Sequence, residues 1–299
     1  MDFLLARLPN LVTIFLGIFL EAGPFLVFGV LVSSILEVVI SPERLARLFP
    51  RNRFWGLLFG VALGAAAPLC ECGTVPIARS SVSRGLPLPA AIAFLLAAPV
   101  INPITVAATY TAFHNDLRVL VLRVVLGVCI ALAVGALFLL WPRDESPLRS
   151  QSPGQACDHP AHVHGSRTRA VLAHTGGELP SLMVYLTAAA AVASLLQVFL
   201  PRMQLVALGQ GPLLSVAIMM AIAVVLSTCS SVDAFVALAF STTFAPGAIL
   251  AFLLVSPVLN MKSGALVVGL FRPRVAVAMM LPASLTVVVA ALAINYHLL

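Results

Sequence analysis

The sequence predicts an all-α polytopic membrane protein: two inverted repeats with broken helices or re-entrant hairpins, in about 8–10 membrane segments. Three observations carry that expectation. Of 299 residues, 61% are hydrophobic and 9% charged, against about 25% charged in an ordinary soluble domain. Mean hydropathy is +1.08. The apolar runs are long and continuous rather than alternating, which excludes a transmembrane barrel. One apolar block also recurs. Ala90–Asn102 (AAIAFLLAAPVIN) matches Ala248–Asn260 (AILAFLLVSPVLN) at 8 of 13 positions, with proline and asparagine aligned. The net charge of +6 reports membrane orientation in such a chain, not nucleic-acid binding.

Taken in order, residues 1–141 form a first transmembrane repeat, with apolar segments at roughly 10–40, 54–69, 74–83, 88–112 and 117–141. Asn10–Ile40 is too long for a cleaved signal peptide and lacks its basic flank and small-residue cleavage site. Residues 142–178 are a polar linker containing Cys and His. Residues 179–299 form the second repeat, with segments at roughly 180–200, 212–228, 232–244, 247–270 and 274–297. Five segments thus follow five.

The short pair of segments in each half is interrupted. In the first half the break is PLCECGT, Pro68–Thr74; in the second it is LSTCSSVD, Leu226–Asp233. At the repeat offset of 158, Cys70, Glu71 and Cys72 face Thr228, Cys229 and Ser230. If each short pair is a re-entrant hairpin or two full crossings, each half crosses an odd number of times and the halves are inverted. Twelve arginines (44, 47, 51, 53, 79, 84, 143, 149, 167, 169, 272, 274) then share one side, and Arg7, Arg118 and Arg202 lie on the other. Arg123 and Lys262 lie within segments. The positive-inside bias favours this arrangement, with both termini outside and the linker cytoplasmic.

Broken helices expose backbone N–H and C=O groups at membrane depth, which is tolerated only where they line a cavity or are buried in protein. The two breaks are therefore the expected binding site. Cys70, Cys72 and Cys229 supply thiolates, soft donors that suit thiophilic centres such as trivalent arsenic or soft metal ions. The plainer reading is small residues at tight helix packing. Glu71, an acid at membrane depth, costs roughly 2.5–3.5 kcal/mol to insert; it either couples a proton, or caps a helix or pairs with Arg79 or Arg84. Asp233 and Ser230, at the second break, invite the same alternatives. Glu21, in mid-segment, is a further acid of interest, and Glu37 sits where it can snorkel.

The paired PVxN motifs come next. Pro99 and Pro257 each remove a helix hydrogen bond, and Asn102 and Asn260 can donate to the freed carbonyls or to a ligand. Lys262 can neutralise an acid or attract an anion. In the linker, Cys157, His159, His162 and His164 have spacings able to hold Zn²⁺, Cu or Ni²⁺ weakly; the alternative is a flexible connector. Cys129 lies in a plain apolar run. No Walker A sequence, Ser-His-Asp arrangement, nucleotide fingerprint or haem motif is present. No enzyme activity and no cofactor is expected beyond that weak metal. The expected partners are a small-molecule substrate and the lipid bilayer, with no nucleic acid; a homo-oligomer stays open.

The stretches PLCECGTVPIARSSVSRGLPLPAAIAFLLAAPVINP, LSTCSSVDAFVALAF and AFLLVSPVLNMKS resemble a bacterial permease family that includes the ArsP organoarsenical efflux permeases and the YraQ-type permeases. The resemblance spans most of both halves and omits the linker. It implies a multi-pass permease of the bacterial inner membrane, exporting trivalent organoarsenicals by means of cysteines. Carried over by motif, these are Cys70, Cys72 and Cys229. The alternatives are a carrier for a soft metal ion or a sulfur-containing anion, and a membrane thiol redox enzyme or sensor that cycles Cys70 and Cys72 between dithiol and disulfide.

Overall fold

A computed structural model describes residues 2–39, 52–113, 116–142, 146–149, 167–199 and 211–298. The described residues form helices: α1 (Asp2–Val39), α2 (Arg53–Ala66), α3 (Glu71–Ser83), α4 (Leu88–Ile101), α5 (Pro103–Ala112), α6 (Leu117–Leu137), α7 (Arg167–Phe199), α8 (Pro212–Leu226), α9 (Asp233–Phe240), α10 (Pro246–Leu259), α11 (Met261–Leu270) and α12 (Pro273–Leu298). Helix α7 begins at Arg167, inside the stretch the sequence reading gave to the linker. The Cys157, His159, His162 and His164 set lies outside the described residues.

Among the described residues, six stretches are long and apolar enough to cross a membrane: Leu8–Leu36, Leu88–Ala112, Leu117–Leu140, Thr168–Val198, Pro246–Leu270 and Pro273–Tyr296. Two of them are broken helices, α4–α5 and α10–α11. Each breaks at an asparagine whose extended backbone (Asn102 φ −68°, ψ 158°; Asn260 φ −70°, ψ 163°) caps the following helix. These two are mostly buried, whereas a third or less of each long span in α1, α6, α7 and α12 is buried. Leu20, Val184, Leu281 and Val289 are among the large apolar side chains left outside, as a lipid-facing surface requires. The centre of the bundle is therefore the broken pair.

Helix directions follow from the contacts. Ser34 meets Thr175 while Ile18 packs with Ala190 and Ala193, so α1 and α7 are antiparallel. Gly60 abuts Ala90 and Gly64 abuts Ala97 and Ala98, so α2 and α4 run the same way. Helix α3 runs opposite to both. A short turn joins Ser83 to Leu88, and the far ends meet again where Asn102 Nδ2 donates to Leu69 O. Helices α2 and α3 are thus the arms of a re-entrant hairpin with its tip at Ala67–Cys70. At 14 and 13 residues they measure about 20 Å each at 1.5 Å per residue, short of the ~30 Å hydrocarbon core. The second hairpin, α8–α9, has its tip at Ser227–Val232, and that tip also lies against the end of its central helix. There Thr228 Oγ1 is 3.1 Å from Ser256 Oγ, and Met261 N donates to Ser227 Oγ at 3.2 Å.

Small residues make the hairpins fit. A Cβ at Gly29 of α1 would lie 2.4 Å from the Gly73 Cα of α3, so the two backbones touch as only glycine allows. The second tip is made by Ser227, a non-glycine residue in the left-handed region (φ 49°, ψ 39°) that ends α8. Beyond α6, Leu148 bridges Phe271, and Arg149 N donates to Leu270 O. The exit of the first half is thereby tied to the α11–α12 turn.

Candidate functional site

The site forms where the two hairpin tips meet the two broken central helices. Proline and glycine around Cys70 stop α2 and restart the chain as α3, so Cys70 becomes the N-cap of α3 and Glu71 its first residue. The second tip delivers Cys229 from the other half. Cys72 is buried two residues past Cys70, in α3. The ligand atoms of Cys70, Glu71 and Cys229 all lie within 4.8 Å of one another, and all three residues are buried. Two thiols and a carboxylate, from hairpin tips 159 residues apart in sequence, are therefore one cluster.

Charge is concentrated beside them. Glu71 Oε1 accepts from Asn260 Nδ2 at 3.2 Å and lies 4.0 Å from Lys262 Nζ. Lys262 Nζ is also 3.8 Å from Glu21 Oε2, and Glu21 Oε1 accepts from Cys229 N at 3.3 Å. Lys262 is fully buried, yet Nζ has no hydrogen bond, and Glu71 Oε2 has none either. Buried polar groups are almost always hydrogen-bonded, because desolvation without a partner costs about 1–3 kcal/mol. Glu71 Oε2 and Lys262 Nζ thus keep unused hydrogen-bonding capacity next to the cluster. The position of Glu71 in the first turn of α3 also suits its negative charge.

The two asparagines occupy matching places with different bonds. Asn102 Oδ1 accepts from Thr105 N, and its Nδ2 donates to Ala98 O and Leu69 O. All its bonds go to backbone, so it clips the first hairpin tip to the central helix. Asn260 Oδ1 accepts from Ser263 N and Nδ2 donates to Ser256 O, but its second N–H goes to Glu71. It thus positions the carboxylate. Ser230 is buried one residue past Cys229.

Asp233 is placed apart from this cluster. Both its oxygens are held by Arg123, Nη1 to Oδ1 at 2.9 Å and Nη2 to Oδ2 at 2.7 Å, and Arg123 Nη1 also donates to Thr109 Oγ1. The pair is 1% and 0% exposed. Sequence reasoning did not assign Arg123 to any site. The available signal was an arginine inside an apolar run, which requires a buried acid somewhere in the fold. Glu21 is the second residue left out of the expected site; its mid-segment position was the signal.

The family model of a predicted permease, ArsP_1, matches residues 7–296. The chain belongs to this permease family. It is 37% identical over 265 residues to the UPF0718 protein YcgR of Bacillus subtilis, covering 88% of this chain and 89% of that protein. It is 33% identical over 261 residues, 87% of each chain, to a Streptococcus mutans protein named as a putative two-component membrane permease complex subunit. A shorter match, 29% over 135 residues and 45% of this chain, links it to the UPF0718 protein YraQ of Escherichia coli. No solved structure matches. As an ArsP_1 permease the chain is a multi-pass protein of the bacterial inner membrane, and the cluster lies at the centre of its six long helices.

Proposed function

We propose that this permease is a secondary transporter exporting a small thiophilic solute, and that Cys70, Cys72 and Cys229 bind it where the hairpin tips meet. Trivalent organoarsenicals are the leading substrate class. The observation that carries this reading is the buried Cys70–Glu71–Cys229 cluster joining both halves, with buried Cys72 two residues on from Cys70. A trivalent arsenical with two hydroxyl groups exchanges both for two cysteine sulfurs: two As–S bonds form, two As–O bonds break and two waters leave. No redox partner is needed, and the exchange reverses on release. Glu71 positions the thiols and takes up a proton during the cycle, while Asn260 and Lys262 hold its carboxylate. The antiparallel pairing of α1 with α7, and a first half of three crossings plus a re-entrant hairpin, support inverted halves. Two inversely related halves around one site suit alternating access. A central site built from both halves supports a transporter rather than an enzyme.

The test is accumulation of trivalent methylarsenite in cells expressing the chain, against Cys70→Ser, Cys72→Ser and Cys229→Ser variants at matched abundance. Wild type is expected to lower accumulation, and each variant to lose most of that effect. A wild type with no effect removes the arsenical reading. Soft metal ions, whose donors are the same thiols and the Glu71 carboxylate, are the next substrates to assay.

A further inference from the structure

We infer that the cavity between α5, α6, α9 and α10 is the outer vestibule of the permeation route, and that the Arg123–Asp233 pair is the gate between it and the thiols. The inference rests on the transport reading above. The cavity has a volume of about 480 Å³ and is lined by Phe113, Asp116, Val119, Leu238, Ser241 and Ile249 among others. That is within the range of small-molecule sites, roughly 300–1,000 Å³, which are typically apolar with a few polar groups.

Three segments run from the cavity through the ion pair toward the hairpin tips, and the second hairpin reaches a cluster thiol directly. Along α6, Val119 lines the cavity, Arg123 makes the pair one turn deeper, and Gly127 a turn beyond that packs on Val100 and Ile101 at the end of α4. Along the second hairpin, Leu238 lines the cavity, Asp233 makes the pair, and Cys229 belongs to the cluster. Along α5, Ala112 lines the cavity, Thr109 accepts from Arg123, and Asn102 clips the first tip. Four residues of helix span about 6 Å, so the pair lies about one turn from the cavity and about one turn from the cluster. It joins α6 of the first half to α9 of the second, the two bodies that alternating access must move past each other. Breaking it is a discrete event, because a bidentate pair has one geometry.

The gate is polar on one side only. At the repeat offset Asp233 corresponds to Val75. At the same offset Arg123 corresponds to Leu281. Both counterparts are apolar, Val75 buried and Leu281 exposed. The α5–α6 turn carries Arg118 and lies on the Arg-poor face, so the positive-inside bias puts the vestibule outside the cell.

The test uses full-length protein in intact cells, with Cys129→Ser and Cys157→Ser to lower background, and a membrane-impermeant cationic methanethiosulfonate added outside. Val119→Cys is expected to label from outside. Labelling only from the cytoplasmic face, in inverted vesicles, would overturn the vestibule. Native Cys229, located by peptide mass spectrometry, is expected to label at least tenfold faster in Arg123→Lys and Asp233→Glu than in the parent. Both variants keep the charge; Lys loses the guanidinium fork, and Glu displaces the carboxylate by one methylene from its bidentate position. Equal Cys229 rates in parent and in both variants, at matched membrane abundance, would overturn the gate. The labelling order does not depend on the solute, so an export assay that fails for arsenicals leaves this result standing, and the two readings fail separately.

Discussion

Replacing Lys262 by methionine tests how the central charges are balanced. In the wild type Nζ lies 4.0 Å from Glu71 Oε1 and 3.8 Å from Glu21 Oε2. At an effective dielectric near 20, one such contact amounts to about 4 kcal/mol. Glu21 is 28% exposed, so water screens its share, and the main loss falls on Glu71, which is 2% exposed. That loss has a ceiling, since a stranded carboxylate can take a proton instead. Protonating an ordinary glutamate costs about 3.7 kcal/mol at pH 7 and about 1.6 kcal/mol at pH 5.5. Lys262→Met should therefore destabilise by roughly 3–4 kcal/mol at pH 7 and by less than half that at pH 5.5. In thermal unfolding of the detergent-solubilised protein, at about 2 °C per kcal/mol for a chain of this length, the midpoint falls by roughly 6–8 °C at pH 7 and roughly 3 °C at pH 5.5. Adding Glu71→Gln removes the stranded charge and keeps an acceptor for Asn260, so the double variant should recover most of the loss at pH 7. A Lys262→Met loss that is the same at both pH values, or a double variant no better than the single, would refute this reasoning.

Other expectations follow from individual contacts. Gly29→Ala drives a Cβ into the Gly73 backbone and should cost about 1–3 kcal/mol in thermal unfolding. Gly17→Ala, with nothing within 4 Å, should leave the midpoint within a degree or raise it. Asn102→Asp removes the N–H donors to Leu69 O and Ala98 O. Membrane abundance should drop through a loss of about 2 kcal/mol or more, whereas Asn102→Gln cannot restore the cap and should drop similarly. Cys129 is exposed, unlike Cys70, Cys72 and Cys229. Cys129→Ser should leave solute export unchanged, and at matched abundance each of the other three replacements should lower it by tenfold or more.

The positions of the breaks were legible in the sequence because proline and glycine punctuate apolar runs in few ways. Pro68 and the PVxN motifs mark interruptions that the structure uses as a hairpin tip and helix caps, whereas Pro76, expected to break the chain, lies within α3. The run lengths left a re-entrant hairpin and two full crossings both open; in the structure α2 and α3 have 14 and 13 residues, each shorter than the hydrocarbon core. Which residues meet was only partly legible. Cys70 and Cys229 come together because equivalent breaks meet at the centre, a relation the repeat offset expresses. Glu21 and Cys229 are 208 residues apart, and Arg123 and Asp233 are 110 apart; no local pattern couples either pair. The two asparagines look equivalent in sequence and differ in space. Leu69 O takes the spare N–H of one and Glu71 that of the other, because the two hairpin tips approach the centre differently. The start of α7 was hidden by composition. His174, Thr175, Gly176, Gly177 and Glu178 read as linker, yet Glu178 is fixed in the helix by Arg79 at 2.8 Å.

The most direct measurement of the thiol site is arsenic X-ray absorption on the purified permease loaded with one equivalent of methylarsenite. Two or more sulfur atoms in the arsenic shell of the wild type, with one fewer or none in Cys70→Ser and Cys229→Ser, is the predicted result. An arsenic shell of oxygen and carbon alone, or a sulfur shell that survives both replacements, would contradict it.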